Sequence, residues 1–272
     1  MSKKNILLIS DLVGFGNLAT TAMLPILSYM GMQTYNLPTA LVSNNFGYGK
    51  YEMLDTTDYI RGVFPKWEEL GFNFSAIATG FIPSEQQAKI ISAYCKKQAE
   101  HGAIIFVDPV MGDMGTLYNG IGNAIIDCMR EMLQVADLCF PNYTEACYLT
   151  DTPFRKEGVS EEEAIKMTEK IHALGSKSVI ITSITIDGKP SVIGFNHTNG
   201  KHFIINYDEI PVMFSGTGDV FSAILIGHLL DGETLKNSTR KAVDGVYNLI
   251  NLNKDAADPY HGIPVNKYLN IL

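Results

Sequence analysis

An aspartate that follows a glycine-rich turn is the residue of this chain best placed for chemistry. Gly216, Thr217, Gly218 and Asp219 lead directly into an apolar run over residues 220–230, which predicts a turn that opens a helix. The first amides of a helix lack acceptors within the helix and carry the positive end of its dipole, and glycines let an anion approach the backbone. The segment therefore predicts an anion site, with Asp219 either a helix cap or a catalytic carboxylate.

Polar side chains also follow three short apolar runs further up the chain. They are Asp108 and Asp113, then Asn142 and Glu145, then Thr182 and Ser183. In an open α/β sheet, ligands bind beyond the carboxyl ends of the strands, so these side chains are predicted to share one edge, over which the Gly216 turn closes. Oxygen donors that do not form a complete cage suit Mg²⁺ held together with substrate phosphates. Each residue singly also fits a turn or a first helical turn, whereas the set favours nucleotide chemistry.

The elements that must position these residues follow a βαβ rhythm. Apolar runs at residues 6–9, 76–79, 103–107, 137–140 and 178–182 predict buried parallel strands, with residues 10–17 as the loop after the first. Helices with capping patterns are predicted over residues 84–101 and 160–174. Asp187-Gly188 and Asn199-Gly200 predict two hairpins, hence an antiparallel edge, and a later helix over residues 235–251 is expected to break at Gly245.

Composition narrows the class of protein. The 272 residues predict one domain over residues 1–272, and a formal charge of −8 without a basic run disfavours nucleic acid or an anionic membrane as partner. A small molecule is the expected partner. Four scattered cysteines predict reduced thiols in a cytoplasmic protein, and the first apolar run is too short for a signal peptide or a membrane span.

Several common motifs are missing from the sequence. It contains no G-x-x-x-x-G-K-S/T phosphate loop, no G-x-S-x-G nucleophile elbow and no clustered histidines, and its six histidines are dispersed. The Gly14 to Ala19 stretch lacks the last glycine and the acidic residue of a dinucleotide fingerprint, which makes a dehydrogenase a weak interpretation.

Taken together, the motifs resemble a known family. Gly216-Thr217-Gly218-Asp219 before an apolar helix resembles the anion-hole signature of the ribokinase-like superfamily. The segments at residues 39–49 and 108–113, with Pro141-Asn142-x-x-Glu145, are similar to the vitamin B6 kinases, the pyridoxal kinase branch. The resemblance runs from about residue 5 to about residue 250. It implies an α/β, ribokinase-like fold, a central mostly parallel sheet flanked by helices on both faces, with an antiparallel edge.

The resemblance also implies an activity and a role for each matching residue. The reaction would be ATP-dependent phosphorylation of the 5′-hydroxymethyl group of pyridoxal, pyridoxamine or pyridoxine, in a homodimer that uses Mg²⁺. Asp219 would be the base, and the amides of Gly216, Thr217 and Gly218 would stabilise the charge on the transferred phosphoryl group. The remaining implied residues are Asp108, Asp113 and Glu145 for the metal, Asp113, Asn142, Glu145, Thr182 and Ser183 for the nucleotide, and Ser10, Thr39, Phe81 and Tyr118 for the substrate.

One departure from the family and two alternative functions stay open. Many members have Ser-His where this chain has Ser10-Asp11, and an acidic residue there is expected to favour the cationic amine of pyridoxamine. The alternatives are a hydroxymethylpyrimidine kinase, which shares the fold and the turn, and a non-catalytic protein that binds a B6 vitamer or a nucleotide. The residues leave dependence on K⁺ and the oligomeric state open.

Overall fold

The computed structural model describes residues 4–118 and 121–271. The strands are β1 Asn5–Phe15, β2 Gln33–Asn44, β3 Met53–Asp55, β4 Ala76–Thr79, β5 Ile104–Val107, β6 Gly112–Asp113, β7 Thr116–Leu117, β8 Leu138–Cys139, β9 Ser178–Ile186, β10 Lys189–Asn196 and β11 Lys201–Asn206. The α-helices are α1 Thr20–Tyr29, α2 Thr57–Glu69, α3 Glu85–Glu100, α4 Ala124–Leu133, α5 Tyr143–Thr150, α6 Glu161–Ala173, α7 Thr217–Leu230 and α8 Leu235–Asn253.

The chain forms two compact units. The first contains residues 1–56 and 209–272, and the second contains residues 57–208. The first unit therefore carries β1–β3 with α1, α7 and α8, and the second carries β4–β11 with α2–α6. That the whole chain folds as a single domain stays a prediction.

The first unit is built around β1 and α7. β1 pairs in parallel with β2, which pairs antiparallel with β3, and β1 is at most 1% exposed from Ile6 to Ile9. α7 is buried throughout residues 220–227, and α1 and α8 pack against it. A helix that is apolar on all sides needs cover on all sides. Gly227 allows the close approach of α1, since a Cβ there would lie 2.3 Å from the Met30 sulfur.

The second unit contains the mostly parallel part of the sheet. Its strand order is β11-β10-β9-β8-β5-β4, in which β4, β5, β8 and β9 are parallel and β10 and β11 are antiparallel. β4 is buried along its whole length, as expected for a strand covered on both faces. The predicted mostly parallel sheet with an antiparallel edge is confirmed, and both predicted hairpins form.

Three details of the predicted fold are wrong. Residues 10–15 continue β1 instead of forming a loop, since Leu12, Val13 and Phe15 pair with β2 despite the intervening Gly14. Thr182 and Ser183 lie inside β9 and do not end it; they form an irregularity where pairing with β10 is interrupted. Gly245 does not break α8, where it is buried.

The capping patterns identify the helix starts correctly. The Ser84 side chain accepts a hydrogen bond from the Gln87 amide at the start of α3, and Ser160 and Glu163 form a reciprocal capping box on α6. Among the described residues, no helix combines the length and the apolar character that crossing a membrane requires.

Candidate active site

The glycine turn opens α7 as the sequence predicts. Gly216 occupies the position before the first helical residue with φ +80°, a left-handed conformation that favours glycine, and it has no side chain of its own with which to cap the helix. Gly218 is exposed, and a Cβ at this position would meet nothing within 4 Å. Because neither glycine carries a side chain, an anion can approach the first backbone amides of α7 without steric obstruction from these two residues.

Asp219 is not a simple cap of α7. Its Oδ2 accepts a hydrogen bond of 2.8 Å from the backbone amide of Ala19, which lies two hundred residues earlier in the chain. Burial raises the pKa of Asp219 to about 6, although the Ala19 hydrogen bond acts to lower it. A carboxyl group with a pKa close to neutrality is suited to accept a proton during a reaction.

Ala19 provides this hydrogen bond from a strained backbone conformation. It precedes the first residue of α1 with φ 48° and ψ −132°, a combination that L-residues with a Cβ rarely adopt, and its side chain is only 7% exposed. Strained backbone of this kind persists where the surroundings hold it in place.

The surroundings of Ala19 are a set of close backbone contacts within the first unit. The Asn17 amide donates to the His261 carbonyl oxygen at 2.7 Å, and the Thr21 hydroxyl donates to the Gly16 carbonyl. A Cβ on Gly216 would lie 2.8 Å from the Asn17 carbonyl oxygen, and one on Gly262 would lie 2.4 Å from the same atom. The loop before α1 is therefore held between the α7 turn and the C-terminal segment.

A buried carboxyl group, that of Asp11, lies near Asp219. Asp11 is 8% exposed and accepts a hydrogen bond of 3.2 Å from the Ser10 hydroxyl. Burial, followed by repulsion from Asp219, raises the pKa of Asp11 to about 7. The register between β1 and β2 shifts between Ser10 and Leu12, and such irregularities often redirect side chains next to functional sites.

The predicted substrate residues Ser10 and Thr39 lie on the two strands at this irregularity. Ser10 is 3% exposed on β1 and Thr39 is fully buried on β2. The first unit thus brings together the carboxyl groups of Asp11 and Asp219 with the hydroxyl of Ser10.

In the second unit, the first turn of α5 holds the segment that carries Asp108 and Asp113. Asn142 and Glu145 form a reciprocal capping box, and Glu145 also accepts a hydrogen bond of 3.0 Å from the Met111 amide. The Asn142 side-chain amide donates to the Gly112 carbonyl oxygen at 2.8 Å. A residue larger than glycine at position 112 would clash, since its Cβ would lie 2.3 Å from the Thr116 carbonyl oxygen.

The charges in this part of the second unit suit a cation. Glu145 is 3% exposed, and burial, followed by repulsion from Asp108, raises the pKa of its carboxyl group well above the usual range. Two carboxylates that repel each other in a buried setting are relieved by a divalent cation. Both Glu145 oxygens already accept hydrogen bonds from backbone amides, those of Met111 and Asn142, which fits contact with a metal ion through water.

The protein carboxylates would form only part of a metal site. Over residues 4–118 and 121–271, no three His, Cys, Asp or Glu side chains are grouped closely enough to hold a metal ion by themselves. Mg²⁺ in phosphoryl-transfer sites takes one or two carboxylates and completes its coordination with water and substrate phosphates. The residues present therefore fit Mg²⁺ that arrives with a nucleotide.

Two of the predicted nucleotide-binding residues, Thr182 and Ser183, lie on β9, and Thr182 contacts the segment at the start of α5. Thr182 bridges to Asn142, and its amide donates to the Pro141 carbonyl oxygen at 2.9 Å. Ser183 is exposed and has φ 53°, so the irregularity in β9 turns it away from the regular alternation of the strand.

The remaining predicted substrate residues also belong to the second unit. Phe81 is 6% exposed in the segment after β4, and Tyr118 is 37% exposed and donates its amide to the Met111 carbonyl oxygen at 3.0 Å. Tyr118 thus lies beside the segment that α5 holds.

Sequence reasoning missed the role of Ala19. An alanine carries no chemical group that a motif search would select, and its importance lies in its backbone amide and its conformation. The proximity of Asp11 to Asp219 also cannot be predicted from the sequence, because the two residues are far apart in the chain.

Comparison with known proteins decides the family. Residues 25–265 match the family described as phosphomethylpyrimidine kinase. This chain belongs to the phosphomethylpyrimidine kinase family. Among curated proteins, it is 29% identical to a pyridoxal kinase of Dictyostelium discoideum over 262 residues, which cover 89% of this chain and 82% of the relative. It is also 29% identical to a pyridoxal kinase of Leifsonia xyli, with 90% and 88% covered.

Solved structures of the same fold agree with this assignment. A candidate phosphomethylpyrimidine kinase from Bacteroides thetaiotaomicron, crystallised with pyridoxal, is 32% identical, with a TM-score of 0.94 and 99% and 96% of the two chains covered. A pyridoxal kinase from Lactobacillus plantarum is 25% identical, with a TM-score of 0.87 and 99% and 96% covered. The predicted ribokinase-like fold and the predicted resemblance to the vitamin B6 kinases are confirmed.

Proposed function

We propose that this chain is an ATP-dependent kinase that phosphorylates the 5′-hydroxymethyl group of pyridoxal, pyridoxamine or pyridoxine. The observation that carries the proposal is Asp219 at the start of α7. Its carboxyl group accepts a hydrogen bond from the Ala19 amide and has a pKa of about 6, and it lies in the first turn of a helix that begins directly after a glycine, Gly216.

In the proposed reaction, Asp219 accepts the proton of the substrate hydroxymethyl group. The hydroxyl oxygen attacks the γ-phosphorus in line, the bond from that phosphorus to the β,γ-bridging oxygen breaks, and ADP leaves. The amides of Gly216, Thr217 and Gly218 stabilise the negative charge on the transferred group, as helix N-termini do for phosphates.

The second unit supports the nucleotide in this proposal. Asp113 and Glu145 would hold Mg²⁺, Glu145 through water, and Asp108 would add negative charge to the same group. When bound there, Mg²⁺ would supply positive charge that offsets the charge of the triphosphate. Asn142, Thr182 and Ser183 provide polar contacts to the triphosphate.

The relatives support the activity. Curated pyridoxal kinases match about 90% of the chain, and a structure 32% identical to it contains pyridoxal. The second candidate function is a hydroxymethylpyrimidine kinase. The names of the family and of that structure favour it, because both refer to phosphomethylpyrimidine, a related heterocycle.

The experiment that tests the proposal compares acceptors in one assay. Production of ADP and of the phosphorylated product is measured with each of the three B6 vitamers and with hydroxymethylpyrimidine, and ATP without an acceptor gives the background. The proposal expects kcat/KM for at least one vitamer to exceed that for the pyrimidine by tenfold or more. Turnover of the pyrimidine alone would establish the alternative, and binding without turnover would establish a non-catalytic protein.

Two further predictions accompany the proposal. The family resemblance implies a homodimer, and the molar mass measured by light scattering tests this prediction.

The four cysteines support a cytoplasmic location, since all four are buried and free.

A further inference from the structure

Asp11 is a buried carboxyl group that the proposed phosphoryl transfer does not use. It is 8% exposed, and it accepts a hydrogen bond of 3.2 Å from the Ser10 hydroxyl. Within the part of the chain that the structure describes, no Lys, Arg or His nitrogen lies within 4.0 Å of Asp11 or Asp219. Buried carboxylates are ordinarily paired with a cation.

The negative charge of Asp219 further destabilises the charged form of Asp11, which has no cationic side chain beside it in the described part of the chain. Asp11 lies close enough to Asp219 for the two carboxylates to repel each other. In β1, Asp11 occupies the position at which the register with β2 shifts. Such an arrangement is stabilised when a cation binds beside the pair. In a substrate complex, the molecule that Asp219 deprotonates lies beside this pair, and a cationic group on that molecule would supply the missing charge.

We propose that Asp11 is a specificity-determining residue that binds the ammonium group of an amine-bearing acceptor alcohol, and that the chain thereby prefers pyridoxamine among the B6 vitamers. In pyridoxamine, the aminomethyl group is on the ring carbon next to the one that carries the reacting hydroxymethyl group. A carboxylate near Asp219 is therefore near the ammonium group when Asp219 contacts the hydroxyl. This inference rests on the proposed function, because it takes Asp219 as the group that contacts that hydroxyl.

Pyridoxine is the matched comparison for pyridoxamine. The two molecules differ only in a hydroxyl in place of the ammonium group, so their sizes are nearly the same. A hydrogen bond to a charged group contributes more than a neutral one, and a difference of tenfold or more in kcat/KM is expected.

The test measures kcat and KM for pyridoxamine and pyridoxine in the wild type, in Asp11→Asn and in Asp11→Ser. The exposed Asp58→Asn provides a control that removes one carboxylate elsewhere. The wild type is expected to favour pyridoxamine at least tenfold. Both Asp11 variants are expected to lose this preference, so that the ratio of kcat/KM for pyridoxamine to that for pyridoxine falls, mainly through a higher KM for pyridoxamine. Binding of each vitamer without ATP, measured by calorimetry, should show the same loss.

Three results distinguish the claims. A wild type that phosphorylates the vitamers but prefers pyridoxine overturns the inference whether or not the variants fold, and leaves the proposed function intact. An unchanged ratio in folded Asp11→Asn also overturns it. A wild type that phosphorylates no vitamer contradicts the proposed function itself.

Discussion

At the residue scale, the site contains two carboxyl groups, those of Asp11 and Asp219, whose charged forms lower the stability of the folded protein. The pKa values of Asp11 and Asp219, about 7 and about 6, both exceed the ordinary value of 3.8 because burial disfavours the charged forms. Functional sites often retain such strain because the reaction needs it.

A pH-dependent cost in stability follows from Asp11. A carboxyl group with a raised pKa in the folded state binds its proton more tightly there than in the unfolded chain, so stability falls as pH rises from about 4 to about 7. Asp11→Asn is expected to raise the free energy of unfolding by roughly 4 kcal/mol at pH 8, about 1.4 kcal/mol for each unit of the raised pKa, and to change it little at pH 4. Urea denaturation at the two pH values measures the difference.

The exposed Asp58 again provides the control for this experiment. Asp58 forms an ion pair with Arg61 on the surface of α2, and Asp58→Asn should change stability by less than about 0.5 kcal/mol at either pH. An equal effect of Asp11→Asn at pH 4 and pH 8 would contradict the raised pKa.

The strain at Ala19 gives a second prediction. Glycine adopts φ 48°, ψ −132° without steric cost, so Ala19→Gly should leave the free energy of unfolding unchanged or raise it by about 1 kcal/mol. The matched control is Ala22→Gly within α1, which should lower it by at least about 1 kcal/mol. Urea denaturation of both variants provides the comparison, and equal losses would show that Ala19 is unstrained.

At the scale of elements, the sequence predicts what local signals encode. The capping patterns at Ser84 and Ser160, the hairpin turns and the glycine turn before α7 all depend on neighbouring residues, and each forms. The irregularities in β1 and β9 depend on pairing with distant strands. For this reason the polar residues near Ser10 and Thr182 resemble a loop and a strand end in the sequence.

Two glycines of the α7 turn are expected to respond differently to alanine. Gly216→Ala introduces a Cβ 2.8 Å from the Asn17 carbonyl oxygen at a position with φ +80°, so it should lower the free energy of unfolding by about 1–3 kcal/mol. Gly218→Ala meets nothing within 4 Å and should leave stability unchanged within about 0.5 kcal/mol.

Enzyme kinetics separates the two roles of the turn. A methyl group at position 218 obstructs an anion that approaches the first amides of α7, so Gly218→Ala should raise KM for ATP or lower kcat by tenfold or more. A folded Gly218→Ala enzyme with wild-type kinetics would show that the phosphoryl group does not approach these amides.

At the scale of the whole molecule, the sequence predicts the fold class and the family, and the structure adds the grouping of side chains within each unit. The alternation of apolar runs and helices depends on composition and period, which the sequence displays directly. The pairing of Asp11 with Asp219, and of Glu145 with Asp108, depends on how distant segments pack. Motifs select the candidate residues, whereas the electrostatic effects among them depend on the three-dimensional structure.

Ligand binding should stabilise the whole chain through the metal. At a hundredfold excess over Kd, a ligand adds about 2.7 kcal/mol to the free energy of unfolding, which corresponds to a rise in Tm of several degrees. A non-hydrolysable ATP analogue is expected to produce this rise with Mg²⁺, and EDTA should remove most of it. Glu145→Gln should weaken the Mg²⁺-dependent part, and a rise that is insensitive to EDTA would argue against metal-assisted nucleotide binding.

The most direct test of the account is the kinetics of Asp219→Asn with ATP and a B6 vitamer. We expect kcat to fall by a factor of about 10² to 10⁴, while the affinity for ATP changes less than threefold, as expected for a base that acts in the transition state. Asp58→Asn serves as the control and should keep wild-type kcat. A folded Asp219→Asn enzyme that retains kcat within threefold would contradict the central claim that this carboxylate accepts the substrate proton.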